Sequence, residues 1–388
     1  MRSIDRYFVG FLAPGAATAK GRGIAIGKLL AGAVSGAALL AAAAPAMAAG
    51  SAVEPLRVSA AATDKVPAKV ASGALRIAVV RQLSAGDYYQ QWIAGARSEA
   101  ERLKVKLEVY DANGDNAREA VLLQQAVATK PDAIVVDSGV AAPLKAGLDA
   151  ARNSGIPLVA YYVDHIEGSS EVAVIEQDDR SMMEGILDRL TTDLGGSEPK
   201  AEMIYVYAPG YQSLDARDAV WQAFVKRNPE IRTVATFGVV NPDTVAQVAG
   251  LTKAALAANH NVKAVMAPWD EFAMGATRGI EEAGLQDKIK VYGIDISKAD
   301  IAAMTRTGSP WVITAATDAS NVGSVVVRAA VLKAVGQTEG DFLSLAPVLV
   351  SQEALRSKQV QTMDQLKDAF PALETPELLR APWMHGMK

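Results

Sequence analysis

The 388-residue chain contains no cysteine, which excludes disulfides, thiolate metal sites, a cysteine nucleophile and the lipid-bearing cysteine of a lipoprotein. A chain of this length can bury a large core without such staples. Histidine is scarce as well. His165, His260 and His385 are scattered, with no metal-ligand spacing such as H-x-x-x-H. There is no G-x-S-x-G elbow and no Walker phosphate loop. A glycosidase would need two carboxylates at a defined separation, and the acids of this chain fall in no motif of that kind. The expectation is a non-enzyme that needs no cofactor and no metal.

Aromatic residues make up only 6% of the chain, so the places where they gather carry information. Basic residues are also in deficit once the N-terminus is set aside. That segment holds Arg2, Arg6, Lys20, Arg22 and Lys28 against the single acid Asp5, followed by an apolar run over 29–44 and small residues at Ala46 and Ala48. This is the pattern of a signal peptide (1–48) cut after about Ala48. The run is too short, and too rich in alanine and glycine, for a membrane span. Removing five of the 39 basic and one of the 43 acidic residues leaves 34 and 42, a net charge of −8. Nucleic acid is therefore not a partner, since phosphate binding needs a basic face. The mature protein is expected to be free in an export compartment.

Residues 49–74 are rich in alanine, serine, valine and lysine and read as a flexible leader. From 75 onward short apolar, β-rich runs recur at 76–80, 105–110, 133–137, 158–162, 172–175, 203–207, 233–237, 264–267, 290–294 and 312–315. Helical periodicity fills the gaps between them. Near-continuous apolar strands alternating with helices indicate parallel sheets buried on both faces. This many strands exceeds one comfortable doubly wound sheet. The expected fold is α/β, two doubly wound Rossmann-like lobes joined by a multi-strand hinge. The expected first lobe is 75–178 plus about 318–340, the second 179–317 plus about 341–351, and 352–388 is an extension without an assigned role. Crossings are placed at 177–180, at 317–320 and after Gln337.

In open α/β sheets ligands sit outside the carboxyl ends of the strands. Those ends carry Gln82 and the Asp87-Tyr88-Tyr89 run, Asp137, the Tyr161-to-Asp164 run, Asn241 and Asp243, Trp269-Asp270-Glu271, Asp295, and Thr317-Asp318, with Arg217 on the helix after the 203–207 run. Aromatic faces cover the C–H faces of a sugar, and planar charged groups pair with vicinal hydroxyls. Asp178 and Asp179 adjoin the first crossing, where capping is their default use, and Arg81 has the option of pairing with a cleft carboxylate.

Seven stretches in register, IAVVRQLSAGDYYQQWIAGARSEAERL, VYDANGDNAREAVLLQQAV, IVVDSG, SGIPLVAYYVD, DARDAVWQAF, VKAVMAPWDEFAMGA and VYGIDISKAD, resemble the ribose/galactose-type periplasmic sugar-binding proteins of ABC importers, across about 76–337. The resemblance implies the type I periplasmic binding protein fold, a periplasmic location, a monomer that closes on a small sugar or polyol, and an inner-membrane permease as partner. It puts Tyr88 and Tyr89 at ring-stacking positions, Gln82 and Asp137 at first-lobe polar contacts, Arg217 and Asp295 at the second-lobe fork and carboxylate, and Thr317 at a hinge-side contact. Trp221 falls on a core aromatic. The chain departs from ribose binders at Tyr162-Val163, where Asp164 stands one place late, and at Trp269, where an asparagine is usual and whose ring offers a substitute for the aromatic missing near Asp243. Another pentose, a hexose or a sugar alcohol stays open, as does delivery to a chemoreceptor or sensor kinase in place of a permease.

Overall fold

The computed structural model describes residues 54–387 except 164, 165, 167, 170, 197 and 198. The signal peptide, its cleavage point and Asp164 lie outside the described residues.

The described chain opens with β1 (Arg57–Val58) and α1 (Ala68–Ala71), then alternates: β2 (Arg76–Arg81), α2 (Asp87–Arg102), β3 (Lys106–Asp111), α3 (Asn116–Ala128), β4 (Ala133–Asp137), α4 (Ala141–Asn153), β5 (Leu158–Tyr161) and β6 (Val172–Gln177). The second half repeats the pattern with α5 (Asp179–Asp193), β7 (Ala201–Val206), α6 (Gln212–Arg227), β8 (Ile231–Phe237), α7 (Thr244–Ala258), β9 (Val262–Ala267), α8 (Asp270–Glu282), β10 (Lys290–Ile294), α9 (Lys298–Thr305) and β11 (Trp311–Ala316). Then come α10 (Ala319–Ala334), β12 (Thr338–Glu339), β13 (Phe342–Leu345), β14 (Val348–Ser351), α11 (Gln352–Ser357) and α12 (Met363–Ala369).

Two six-stranded sheets result, ordered β13-β6-β5-β4-β2-β3 and β14-β11-β10-β9-β7-β8. The central strands are buried along nearly their whole length, for example Ile77 to Val80 and Ala133 to Val136. Their sequences are continuous apolar runs because helices cover both faces. Separate hydrophobic clusters lie on the two faces of each sheet. The expected doubly wound α/β architecture is what the chain adopts.

The chain passes between the sheets at 178, at 317–318 and at 346–347. The last crossing corrects the expected boundary after 340, because β13 pairs in parallel with β6 and belongs to the first lobe. The stretch from Phe342 to Ser351 reads as one apolar run, and only the Ala346-Pro347 break divides it between two sheets. Proline cannot donate in the ladder and so marks the change.

The leader also differs from expectation over the described part. Leu56 and Val70 are buried, and β1 pairs antiparallel with β12. Low hydrophobicity hid this, since a single strand pair and two buried side chains suffice to dock it. The C-terminal extension lies across both lobes. Leu366 and Leu373 pack in the second lobe, whereas Leu379, Trp383 and Met384 pack in the first. Arg328 donates to the carbonyls of Pro376 and Leu378, at 2.9 and 2.5 Å, and Trp383 Nε1 to Gln337 Oε1 at 2.8 Å.

Trp383 is only 2% exposed. Trp383→Ala should therefore lower stability by about 3–5 kcal/mol, the usual loss for truncating a buried aromatic. Urea unfolding followed by far-ultraviolet circular dichroism measures it. A loss under about 1 kcal/mol would mean that the tail is not part of the first lobe's core.

Candidate functional site

The carboxyl ends of both sheets face a common cavity with about 640 Å³ of space between protein atoms, its open mouth included. Three residues directly following strands have left-handed backbone: Ser138 after β4 (φ 68°), Tyr162 after β5 (φ 52°) and Asp295 after β10 (φ 72°). For a residue as bulky as tyrosine this conformation is uncommon and persists only where its surroundings fix it. The Tyr162 hydroxyl supplies the fixing: it donates to Asp179 Oδ1 at 3.0 Å and accepts from the Gln177 backbone N–H at 3.3 Å.

At the hinge end of the cavity lies a charged knot. Arg217, on α6 and 2% exposed, donates Nε to Asp179 Oδ1 at 2.7 Å, and Nη1 to Asp295 Oδ2 at 3.0 Å and to the Pro268 carbonyl at 2.7 Å. Burial alone would lower the Arg217 pKa, but Asp295 and Asp179 hold it well above its usual range. Burial pushes Asp179 up to about 6 against the pull of Arg217. Gln177 Nε2 donates to Asp295 Oδ1 at 3.4 Å, and Thr317 donates to Gln177 Oε1. Asp295 is therefore not the cap of α9; Ser297 is, its Oγ accepting from Asp300 N. Of the two adjacent acids at the crossing, Asp178 caps α5 and Asp179 turns inward to Arg217. Asp270 is the first residue of α8 itself, and its Oδ1 accepts from the neighbouring Glu271 N–H.

Aromatic rings form the remaining walls. Tyr88 and Tyr89 meet edge to face with centroids 5.6 Å apart, and the Tyr88 and Tyr161 hydroxyls are 3.0 Å apart. Burial raises the phenol pKa of all three, so they stay neutral donors at ordinary pH. Trp269 packs edge-on against Phe272 at 4.9 Å.

Five residues singled out from sequence line the cavity together: Tyr88, Tyr89, Arg217, Trp269 and Asp295. Three others sit one layer back. The Gln82 amide is buried and donates to Asn116 Oδ1 at 2.7 Å. Asp137 forms a buried ion pair with Arg81 Nε at 2.8 Å, burial raising its pKa against the pull of that arginine. Thr317 backs the cavity wall, donating to Gln177 and bearing on the Tyr88 hydroxyl. Trp221 is a core residue, stacked on Tyr205 with centroids 4.9 Å apart.

Sequence reasoning did not assign Gln177, Tyr211, Gln212, Leu214 or Val240 to the site, yet all line the cavity beside Tyr161 and Tyr162, which the strand-end reading names. Tyr211 and Gln212 follow β7 and open α6, so the strand-end rule applied one loop earlier would have found them. Gln177 ends β6, at a position that the sequence assigns to a crossing and not to a wall.

The two lobes touch across the cavity. Asp87 Oδ2 accepts from the Ala299 N–H at 3.1 Å, and Gln212 Nε2 donates to Glu176 Oε2 at 3.0 Å. Gly86, with φ 94°, lies so close to Glu271 that a Cβ there would stand 2.3 Å from its Oε1. The cleft is closed.

Residues 77–338 match the periplasmic binding protein domain family. A solved structure from Thermotoga lettingae TMO, a 5-methylthioribose transporter solute-binding protein in complex with 5-methylthioribose, is similar at 35% identity with a TM-score of 0.77 over 81% of this chain and 98% of that one. A sugar ABC transporter protein from Yersinia enterocolitica is 27% identical with a TM-score of 0.78, covering 83% of this chain and 97% of that one. An Agrobacterium vitis solute-binding protein with bound allitol, at 22% identity, TM-score 0.65 and 73% and 97% coverage, shares the fold. No curated protein matches the chain. The chain belongs to the periplasmic binding protein family, among the sugar solute-binding proteins of ABC transporters. These relatives are transport receptors and not enzymes.

Behind the Ser138–Gly139 wall, the fully buried Glu119 has no partner for either carboxyl oxygen among the described residues. Burial first, and the Asp137 charge second, push it from 4.5 to about 9. The folded chain keeps this proton where the unfolded chain releases it, so stability falls as pH rises through that window, by about 1.4 kcal/mol per pH unit. Glu119→Gln should flatten the decline of the thermal midpoint between pH 5 and pH 8. An unchanged slope would show that Glu119 is ionised in the fold.

Proposed function

We propose that this chain is a periplasmic receptor that closes its two lobes on a pentose carrying a small apolar substituent and delivers it to an ABC importer permease. The observation that carries the reading is the division of the cavity. Asp295, Gln177 and the Tyr88 hydroxyl gather at the hinge end, where Gln212 Oε1 is buried without a partner among the described residues. Leu83, Val240 and Leu214, with the rings of Tyr89 and Trp269, form an apolar stretch of the wall. A free hexose or hexitol, polar along its whole length, would leave hydroxyls unpaired against this stretch, and each unpaired buried group costs about 1–3 kcal/mol. A pentose whose fifth carbon bears a thioether matches both parts, and the 35% identical relative is complexed with such a sugar.

Arg217 spends its donors on Asp179, Asp295 and Pro268, so its proposed part is to hold Asp295 aimed at ligand hydroxyls. Asp137, through Arg81, and Gln82 support the first-lobe wall from behind, and Thr317 orients Gln177. Asp164 is proposed for the rim of the same wall on the strength of the family pattern alone. Every wall comes from one chain, so a monomer suffices. Closure around the ligand uses the three crossings as hinge, and binding shifts the population toward the closed form. Export through cleavage near Ala48 places the receptor in the periplasm, in keeping with the family.

Thermal unfolding against D-ribose, 5-methylthioribose, hexoses, hexitols and amino acids tests the proposal, since a ligand of the native state raises the midpoint with the logarithm of its concentration. The largest shift is expected with 5-methylthioribose. A shift confined to hexitols or amino acids would overturn the reading. In calorimetry Asp295→Asn should weaken pentose binding at least tenfold, and Arg217→Ala by more than about 2 kcal/mol, because each leaves buried polar groups unpaired. Trp269→Ala should remove a ligand-induced fluorescence change. Survival of that change would assign it to another tryptophan.

A further inference from the structure

The closed cleft holds a second chamber in line with the first. Leu83 and Tyr89 of the first lobe and Val240 and Trp269 of the second wall both chambers, forming a neck between them. The outer chamber has about 660 Å³ of space between protein atoms, its opening included. Topology fixes its direction. The first two hinge crossings leave from β6 and β11 on one side of the sheets, whereas β3 and β8 are the edge strands on the other side. Asn113 and Gly114 follow β3, and Asn241 and Pro242 follow β8; all four line the outer chamber. It therefore lies at the mouth of the cleft, and a ligand reaching from hinge to mouth meets a polar end, an apolar neck and then a second polar end.

That second end has its own chemistry. Asn113 Oδ1 accepts from Ser84 Oγ at 3.0 Å, and Asn241 Oδ1 from the Asp243 N–H at 2.8 Å. In both residues the amide oxygen is used, and the NH₂ group has no partner among the described residues. Glu271, on the same chamber, has a carboxyl with neither ion pair nor hydrogen bond among the described residues, and burial pushes it up to about 7. Two amide donors and one carboxylate without a cation complement a group that carries both a carboxylate and an ammonium. A sulfur in the neck would meet the rings of Tyr89 and Trp269, a favourable contact for a thioether.

We infer that the receptor takes 5-thio-substituted pentoses whose sulfur substituent passes this neck and ends in an α-amino acid group, its ammonium on Glu271 and its carboxylate on the amides of Asn113 and Asn241. The inference rests on the pentose reading of the inner chamber. It extends that reading from a methyl cap to a longer, zwitterionic arm. Ribose would fill the inner chamber only, 5-methylthioribose the inner chamber and neck, and S-ribosyl-L-homocysteine all three parts.

Isothermal titration of the mature receptor with these three probes separates the possibilities. S-ribosyl-L-homocysteine should bind at least tenfold more tightly than 5-methylthioribose. Glu271→Gln, which keeps the side-chain shape, should bring that ratio below threefold. Asn113→Gly, which retains the left-handed backbone at φ 54°, should reduce it in the same direction and serves if the first variant does not fold. Equal or weaker binding of the longer probe, or a ratio unmoved by both variants, would overturn the inference while leaving the pentose receptor intact. Binding of none of the three, with binding of another solute, would remove the pentose reading and this inference together.

Discussion

Everything around the cavity depends on the burial of Arg217 between Asp179 and Asp295. Three charges removed from water are expensive unless each is paired and hydrogen-bonded. The chain meets this condition by drawing on separate pieces of the fold: the start of α5 just past the first crossing, the second turn of α6, and the residue after β10. The closed lobes complete it. Tyr162 comes from the first lobe to reach Asp179, and Gln177 comes from the end of β6 to reach Asp295. The same few bonds therefore orient the carboxylate proposed to meet the ligand and join one lobe to the other. The polar end of the cavity and the contact between the lobes thus rest on the same bonds.

The sheets were legible because their central strands are buried on both faces, which writes each strand as an unbroken apolar run. β12, β13 and β14 escaped notice for a different reason: they are two to four residues long and lie at a sheet edge or outside the main sheets. The leader and the tail behaved alike. Nothing local in Leu56 or Trp383 announces that it will be buried in the first lobe's distant core.

In the site, the rule of reading strand ends gathered Tyr88, Tyr89, Trp269 and Asp295 without any knowledge of distance, because parallel topology delivers every such end to one side of the sheet. It could not tell a residue facing the cavity from one facing its neighbour. Asp137 and Asp295 look equivalent on paper. Arg81, two strands of sequence away but adjacent in the sheet, takes up the first, whereas the second lines the cavity while paired with Arg217 and Gln177. Gln82 is similarly claimed by Asn116 of α3.

The two sheets have the same strand order apart from the direction of the last strand, so β5 and β10 occupy equivalent places, and the residues that follow them are Tyr162 and Asp295. Both have the left-handed backbone. The duplicated lobes thus present one post each, identical in main-chain path and opposite in side-chain character. That path restricts what selection can try at either post. Asparagine, aspartate and glycine fit the backbone with little strain, while β-branched residues do not. Drift of this receptor toward a new cargo would therefore run through a narrow set of exchanges at these two posts, with the broader variation falling on α6 and on the loops at the mouth, where the backbone sets no such limit.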